Sequence, residues 1–265
     1  MPKILGINVT ANSGSTGRLA EYILNMAAKD GWQTYMAYGR NATHSSAELI
    51  RIGSKYAPHR NALLARLLDN EGFNAKAQTR EFIEKVERIA PDIVHIHNLH
   101  GYYINIEILF DYLTRKSIPI VLTMHDCWTF TGHCAYFESA DCYKWETHCQ
   151  KCPQTRAYPA SFFRDNSPRN FDRKKRIFNS PERIVYVPVS QWLDRYVGQS
   201  YLKDKPHRVI YNGIDLEDFK PTPTQGLREK YDITRPKVVL GVGSIWDKRK
   251  GIDDFCRMPK HLPDD

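Results

Sequence analysis

Residues 118–153, IPIVLTMHDCWTFTGHCAYFESADCYKWETHCQKCP, constrain the fold more than any other stretch, because an apolar run passes into a polar pair and then into a cysteine cluster. Ile118, Pro119, Ile120, Val121, Leu122, Thr123 and Met124 suit a short strand in the middle of a sheet covered on both faces. His125 and Asp126 fall where that strand must end. Ligands of open α/β sheets bind at the carboxyl ends of the strands, so the pair reads either as part of a site or as the start of a polar loop.

Cys134, Cys142, Cys149 and Cys152 follow with spacings C-x7-C, C-x6-C and C-x2-C. The C-x2-C knuckle lets two thiolates grip a tetrahedral zinc through a tight turn, and the two upstream cysteines would complete a closed structural site. His133 and His148 are reserve ligands. The competing readings are two disulfides or four unrelated thiols. No secretory signal is recognisable in MPKILGINV, and clustered cysteines in a reducing compartment bind metal more often than they pair. A catalytic zinc is not expected, because four protein ligands leave no position for water.

Strand and helix patterns alternate along the first two thirds of the chain. Residues 3–9 read as a strand, TANSGSTGR as a small-residue loop, and Leu19, Tyr22, Ile23 and Met26 as one face of a helix. Gly14, Ser15, Thr16, Gly17 and Arg18 form either a phosphate cradle at the positive helix end or a plain helix cap, since neither common phosphate-loop spacing is present. Further strands are expected at 33–38, 50–52, 92–97, 183–189 and 207–211, and helices at 62–68, 79–89, 106–116 and 191–197, the last capped by Ser190. The strand 92–97 places His97 and His100 at the same sheet edge as His125, although a lone histidine also serves as a packed or solvated side chain. This alternation implies an α/β fold, a Rossmann-like, doubly wound parallel sheet.

A formal charge of +8 favours anionic partners, and the basic run Arg164, Arg169, Arg173, Lys174, Lys175 and Arg176 is interleaved with Phe162, Phe163, Phe171, Ile177 and Phe178. Such a run is a solvated helix face, a contact for an anionic membrane surface or phosphorylated lipid, or, least favoured, a nucleic-acid stripe. Beyond the Asn212-Gly213 turn, PTPTQG reads as a linker, and 237–242 with the loop GSIWDKRKG as the opening of a second strand, loop and helix unit. Boundaries are expected at 1–213 for a first domain with a Cys-rich insertion at 127–153, 214–235 for a linker, and 236–265 for the truncated start of a second Rossmann-like domain.

GSTGR, VHIHN, LTMHDCW, VSQWL, VIYNGID and the partial GVGSIWDKRKG together resemble family 4 glycosyltransferases of the GT-B fold, most closely those that assemble exopolysaccharides of the colanic-acid kind. The TGHC…C…C-x-x-CP cluster also looks like a feature of that subgroup. The resemblance implies a hexosyltransferase, retaining in outcome, that moves a sugar from a nucleotide-sugar to a glycan or polyprenyl-linked acceptor. It implies that Gly17 and its neighbours approach the donor diphosphate, that Lys250 neutralises it, that His125 sits by the transferred sugar, and that no catalytic metal is needed. His97, His100 and Asp126 are assigned to the acceptor side. Ser244 stands where the family usually has an arginine, and the paired glutamates of the donor domain, E-x7-E, are absent from these residues. The expected setting is the cytoplasm, peripheral on the inner face of the membrane, with no nucleic-acid partner. The alternative from another class is a non-catalytic, zinc-stabilised binding module for membrane or polysaccharide-assembly partners.

Overall fold

Six apolar runs assemble into one parallel sheet: β1 (Lys3–Asn8), β2 (Gln33–Tyr38), β3 (Glu48–Arg51), β4 (Ile93–Ile96), β5 (Ile120–Met124) and β6 (Ile184–Pro188), in the order β3-β2-β1-β4-β5-β6. The computed structural model describes residues 1–223, 225–243, 246 and 250–261. Two units divide the chain, Met1–Ile214 and Asp215–Asp265.

Helices α1 (Gly14–Lys29), α2 (Ala57–Leu68), α3 (Lys76–Ile89), α4 (Ile106–Arg115), α5 (Ser167–Asn179) and α6 (Gln191–Val197) belong to the first unit. Alternation along β1 assigns its side chains to two layers. Leu5 and Ile7 join the larger core with Val94, Leu122 and Met124 of the sheet, Phe82 and Val86 of α3, Leu109 and Phe110 of α4, and Phe171 and Phe178 of α5. Ile4 instead joins Ala20 and Leu24 of α1 and Met36 of β2. Gly6 lies between them: a Cβ there would stand 3.1 Å from Leu24 Cδ1 and 3.2 Å from Met36 Sδ, so its absence lets α1 close on the sheet. Helix starts are set as the residues require, with the Asn105 side chain accepting from Ile108 N and Ser190 from Leu193 N.

The strand order reverses between β1 and β4. The chain runs outward from β1 through β2 to β3, then returns to place β4, β5 and β6 on the other side of β1. Such a switch point opens a crevice at the carboxyl ends of the two central strands, where neighbouring connections diverge.

Residues 127–153 form the connection after β5, with two 3-10 turns, Glu138–Ala140 and Lys144–Glu146, and an aromatic centre of its own. The Trp145 ring lies 4.9 Å from both Phe130 and Phe137, all three buried. This apolar cluster supports a long connection that has little regular backbone pairing.

Three expectations need correction. Residues 207–211 are not a strand: Tyr186 and His207 make an isolated bridge, Arg208 N and Ile210 N donate to Tyr186 O and Pro188 O, and Ile210 and Tyr211 are exposed. Contact along one edge without a face to bury leaves this segment outside the sheet. Residues 237–242 are likewise not a strand, and among the described residues the second unit contains only α7 (Gln225–Lys230), α8 (Ile252–Arg257) and a 3-10 turn. Val238, Val239, Leu240 and Val242 are exposed there, because a parallel strand requires partners for its N–H and C=O groups. Ser244 lies outside the described residues.

The basic run is also only partly a surface. Within α5, Phe171, Lys174, Ile177 and Phe178 are buried, Arg173 and Arg176 both pair with Glu107 of α4, and the Arg173 guanidinium lies 3.6 Å from the Phe73 ring centre. Phe162 and Phe163 remain exposed beside Arg164. None of the helices among the described residues is long and apolar enough to cross a membrane.

Candidate functional site

Asn8, the last residue of β1, is fully buried at the crevice and has every bond it needs. Its Nδ2 donates to Thr10 O at 2.8 Å and Thr16 Oγ1 at 3.4 Å, while its Oδ1 accepts from Asn98 N at 3.2 Å. One amide therefore ties the loop entering α1 to the loop leaving β4. His97 N adds a bond to Ile7 O at 2.9 Å.

Three imidazoles line up behind this junction. His95 of β4 meets His97 with ring centres 4.4 Å apart, and His97 stacks on His125 at 5.3 Å with an interplanar angle of 17°. His97 Nδ1 and His125 Nε2 are 3.0 Å apart, and His95 Nε2 is 2.8 Å from Thr123 Oγ1. Burial disfavours the charged form of each ring: His95 and His125 are both lowered to about 4, and His97 is lowered as well. The neighbouring rings add to this for His95 and His97, whereas Asp126 partly opposes it for His125. Near neutral pH these are neutral rings, so one of His97 and His125 donates to the other and both keep dipolar rather than ionic character.

His100 and Asp126 form the opposite case. His100 Nε2 lies 2.8 Å from Asp126 Oδ2, His100 Nδ1 lies 2.9 Å from the Tyr158 hydroxyl, and Asp126 Oδ1 accepts from Trp128 N at 2.9 Å. Burial alone would lower the His100 pKa and raise that of Asp126, but each partner outweighs it, so His100 is raised and Asp126 lowered. Each partner thus favours the charged form of the other inside the protein. Behind it, buried Glu71 accepts from Gly101 N at 2.7 Å and Tyr102 N at 2.9 Å, which holds Tyr102 at a φ of 68°. That left-handed backbone is uncommon for an aromatic residue.

His97, Asn98, His100, Thr123, His125 and Asp126 share the wall of one small pocket at the ends of β4 and β5. The structure thus brings His97, His100, His125 and Asp126 together. Asp126 has both carboxylate oxygens committed to protein donors, and His100 both ring nitrogens to protein partners.

The GSTGR segment lies on the same sheet edge, joined through the Asn8–Thr16 bond. Gly14 has a φ of 67°, the preceding Ser13 is extended, and α1 has neither a side-chain cap bond nor an acidic residue in its first turn. The positive helix end is therefore not answered by its own sequence. Ser15 and Arg18 are exposed. Gly17 is buried against Thr10, where a Cβ would stand 2.6 Å from Thr10 Oγ1 and 3.1 Å from Thr10 O. Packing alone requires glycine there. Lys250 is exposed in the second unit, immediately before Gly251 and α8.

Cys134, Cys142, Cys149 and Cys152 all carry free thiols. Among the described residues no group of three or more His, Cys, Asp or Glu side chains is already gathered in metal-ligand geometry.

Sequence reasoning missed Asn8, Glu71, Thr123 and Tyr158. A lone polar residue closing the apolar run of β1 was a signal for Asn8. Glu71 and Tyr158 reach the site from distant connections, and no local pattern marks them.

A Rossmann-like doubly wound domain with polar side chains concentrated at its switch point is a ligand-binding domain of the α/β class. The model of the family described as Glycosyltransferase Family 4 matches residues 16–218, and the chain belongs to glycosyltransferase family 4. It is 25% identical over 228 residues to WcaC of Escherichia coli (strain K12), whose name assigns it to colanic acid biosynthesis as a glycosyl transferase. That match covers 80% of this chain and 55% of WcaC. In three dimensions the chain is similar to the sucrose-phosphate synthase (tll1590) from Thermosynechococcus elongatus, with a TM-score of 0.66 and 15% identity over 99% of this chain and 60% of that one. The likeness establishes the GT-B type of fold. The chain spans little more than half the length of these relatives.

Proposed function

We propose that this chain forms the acceptor-side part of a glycosyltransferase that moves a hexosyl group from a nucleotide-sugar to a polysaccharide or lipid-linked acceptor. The observation that carries the reading is the placement of His125, held by His97, at the carboxyl edge of β5 beside the switch point of a family 4 chain. In this reading His125 contacts a hydroxyl of the transferred sugar. A neutral imidazole can offer one directed hydrogen bond there without a counter-ion.

Transfer breaks the bond between the anomeric carbon and the diphosphate oxygen and joins that carbon to the acceptor oxygen, whose proton passes to the departing diphosphate, with retained configuration. The cost lies in the charge that collects on the leaving diphosphate. We assign its stabilisation to the N-terminal turn of α1 at Gly14, Ser15, Thr16 and Gly17 and to the exposed Arg18, so that no catalytic metal enters the reading. His100 and Asp126 shape the acceptor side as positioning residues. Exopolysaccharide synthesis is supported by the name of WcaC, and the family match favours transfer over a non-catalytic module.

The reading also places the protein in the cytoplasm, peripheral on the inner membrane face through Phe162, Phe163 and Arg164, which stand exposed next to one another. Flotation with anionic vesicles, lost on Phe162→Ser with Phe163→Ser, checks this contact. The transfer itself is tested by supplying nucleotide-sugars and lipid-linked glycans to the protein that contains this chain and determining the anomeric configuration of the product by NMR. A glycoside with the donor's configuration supports the reading. An inverted product contradicts retention, and failure with every donor contradicts the assigned activity.

A further inference from the structure

Away from the sheet edge, the connection after β5 encloses a cavity of about 20 Å³ whose walls include Cys134, Cys142, Cys149, Cys152 and His133. That volume suits a single ion or water. We propose that the four cysteines bind one zinc ion as a closed tetrathiolate site, independently of the transferase reading.

Four features around the cavity support the assignment. Cys134 and Cys152 stand close enough to influence one another electrostatically, although they come from opposite ends of the segment. Gly132 N donates to Cys149 Sγ at 3.2 Å, and a Cβ on Gly132 would stand 2.3 Å from Ser167 O and 2.7 Å from Cys149 Cβ. Only glycine lets a backbone donor approach that sulfur so closely.

A buried amine lies beside the cavity. Lys174 is 1% exposed, donates to Trp128 O at 2.9 Å and Thr131 O at 3.2 Å, and interacts electrostatically with Cys134 and Cys149. Asp69 and Glu71 also favour the charged form of this amine, against a burial that lowers its pKa to about 7. Four thiols that lose their protons to solvent and bind one Zn²⁺ give a centre with two net negative charges, which would favour the charged form of Lys174. His133, 3% exposed, lies in the same wall with Nδ1 held by Asp69 at 2.5 Å and Nε2 without a partner, so the cavity also has a buried polar atom facing unmet demand. His148 Nε2 lies 3.1 Å from Asp172 Oδ1, and His148 is not among the residues that line the cavity.

The thiols stand around the cavity rather than at bonding distance from one point, and zinc would draw them together. Its effect would be to fasten a connection whose only regular pieces are two 3-10 turns, and so to steady the backbone running from Asp126 and Trp128 to α5.

The test is metal analysis of the whole chain purified under reducing conditions, followed by exchange with cobalt(II). The expected result is about one equivalent of zinc, a cobalt spectrum with the sulfur charge-transfer and intense visible bands of four thiolates, and loss of more than about half the metal in Cys149→Ser with Cys152→Ser. Less than about half an equivalent in the unaltered chain overturns the proposal, as does a disulfide among the four cysteines or a cobalt spectrum of three sulfurs and one nitrogen. Should the double variant fail to fold, zinc content and the cobalt spectrum of the unaltered chain decide alone.

Discussion

His97 Nδ1 and His125 Nε2 share one hydrogen bond of 3.0 Å across the ends of β4 and β5, and burial keeps both rings neutral. This has a consequence for acid stability. The folded pKa values of His95 and His125 fall from 6.5 to about 4, so between those limits the unfolded chain binds more protons at these positions, and stability is lost as pH falls. His100, raised by Asp126, acts oppositely: its contribution is present below 6.5 and is lost as pH rises through its folded pKa. Glu71, raised by burial, also loses stability as pH rises. To isolate the ring at the sheet edge, melting temperatures of the unaltered chain and His125→Gln are compared from pH 7 to pH 4. The variant is expected to show the shallower acid limb, and equal limbs would contradict a neutral buried His125.

Asp126→Asn leaves His100 buried without its anion and removes a charged acceptor from Trp128 N. Breaking one side of a buried ion pair costs about 3 kcal/mol or more, and urea unfolding is expected to show a loss of that size. A loss under about 1 kcal/mol would place the pair with exposed ones.

Gly17→Ala separates packing from ligand contact. The new methyl would meet both the side chain and the backbone of Thr10, so destabilisation of roughly 1–3 kcal/mol is expected before any ligand is added. Unchanged unfolding with weakened nucleotide-sugar binding would instead assign Gly17 to the ligand alone.

The parts of the fold that were legible in sequence are those with strong local period. β1, β2, β4, β5 and β6 each show a compact apolar run, and α3 shows a charged helix with Phe82 and Val86 on its buried face. Residues 207–211 and 237–242 have the same local character, but whether an apolar run becomes a strand depends on neighbours that it cannot specify. The histidines at the ends of β4 and β5 could be placed on one edge because strands in a parallel sheet end on the same side. Their stacking and neutrality could not, since both depend on burial. Lys174 was read with its basic neighbours, yet it lies three residues after Phe171 and four before Phe178, on the face that those aromatics bury. Helical spacing therefore carried a signal that its charge concealed.

The central claim is that His125 meets the transferred sugar. It is tested most directly by turnover of nucleotide-sugar in the protein that contains this chain, with and without His125→Ala, measured beside the melting temperature. The account predicts a turnover lower by roughly two orders of magnitude with little change in melting, because a directed contact made in the transition state is lost while the fold is kept. Near-normal turnover, or a loss that only follows a lower melting temperature, would contradict it.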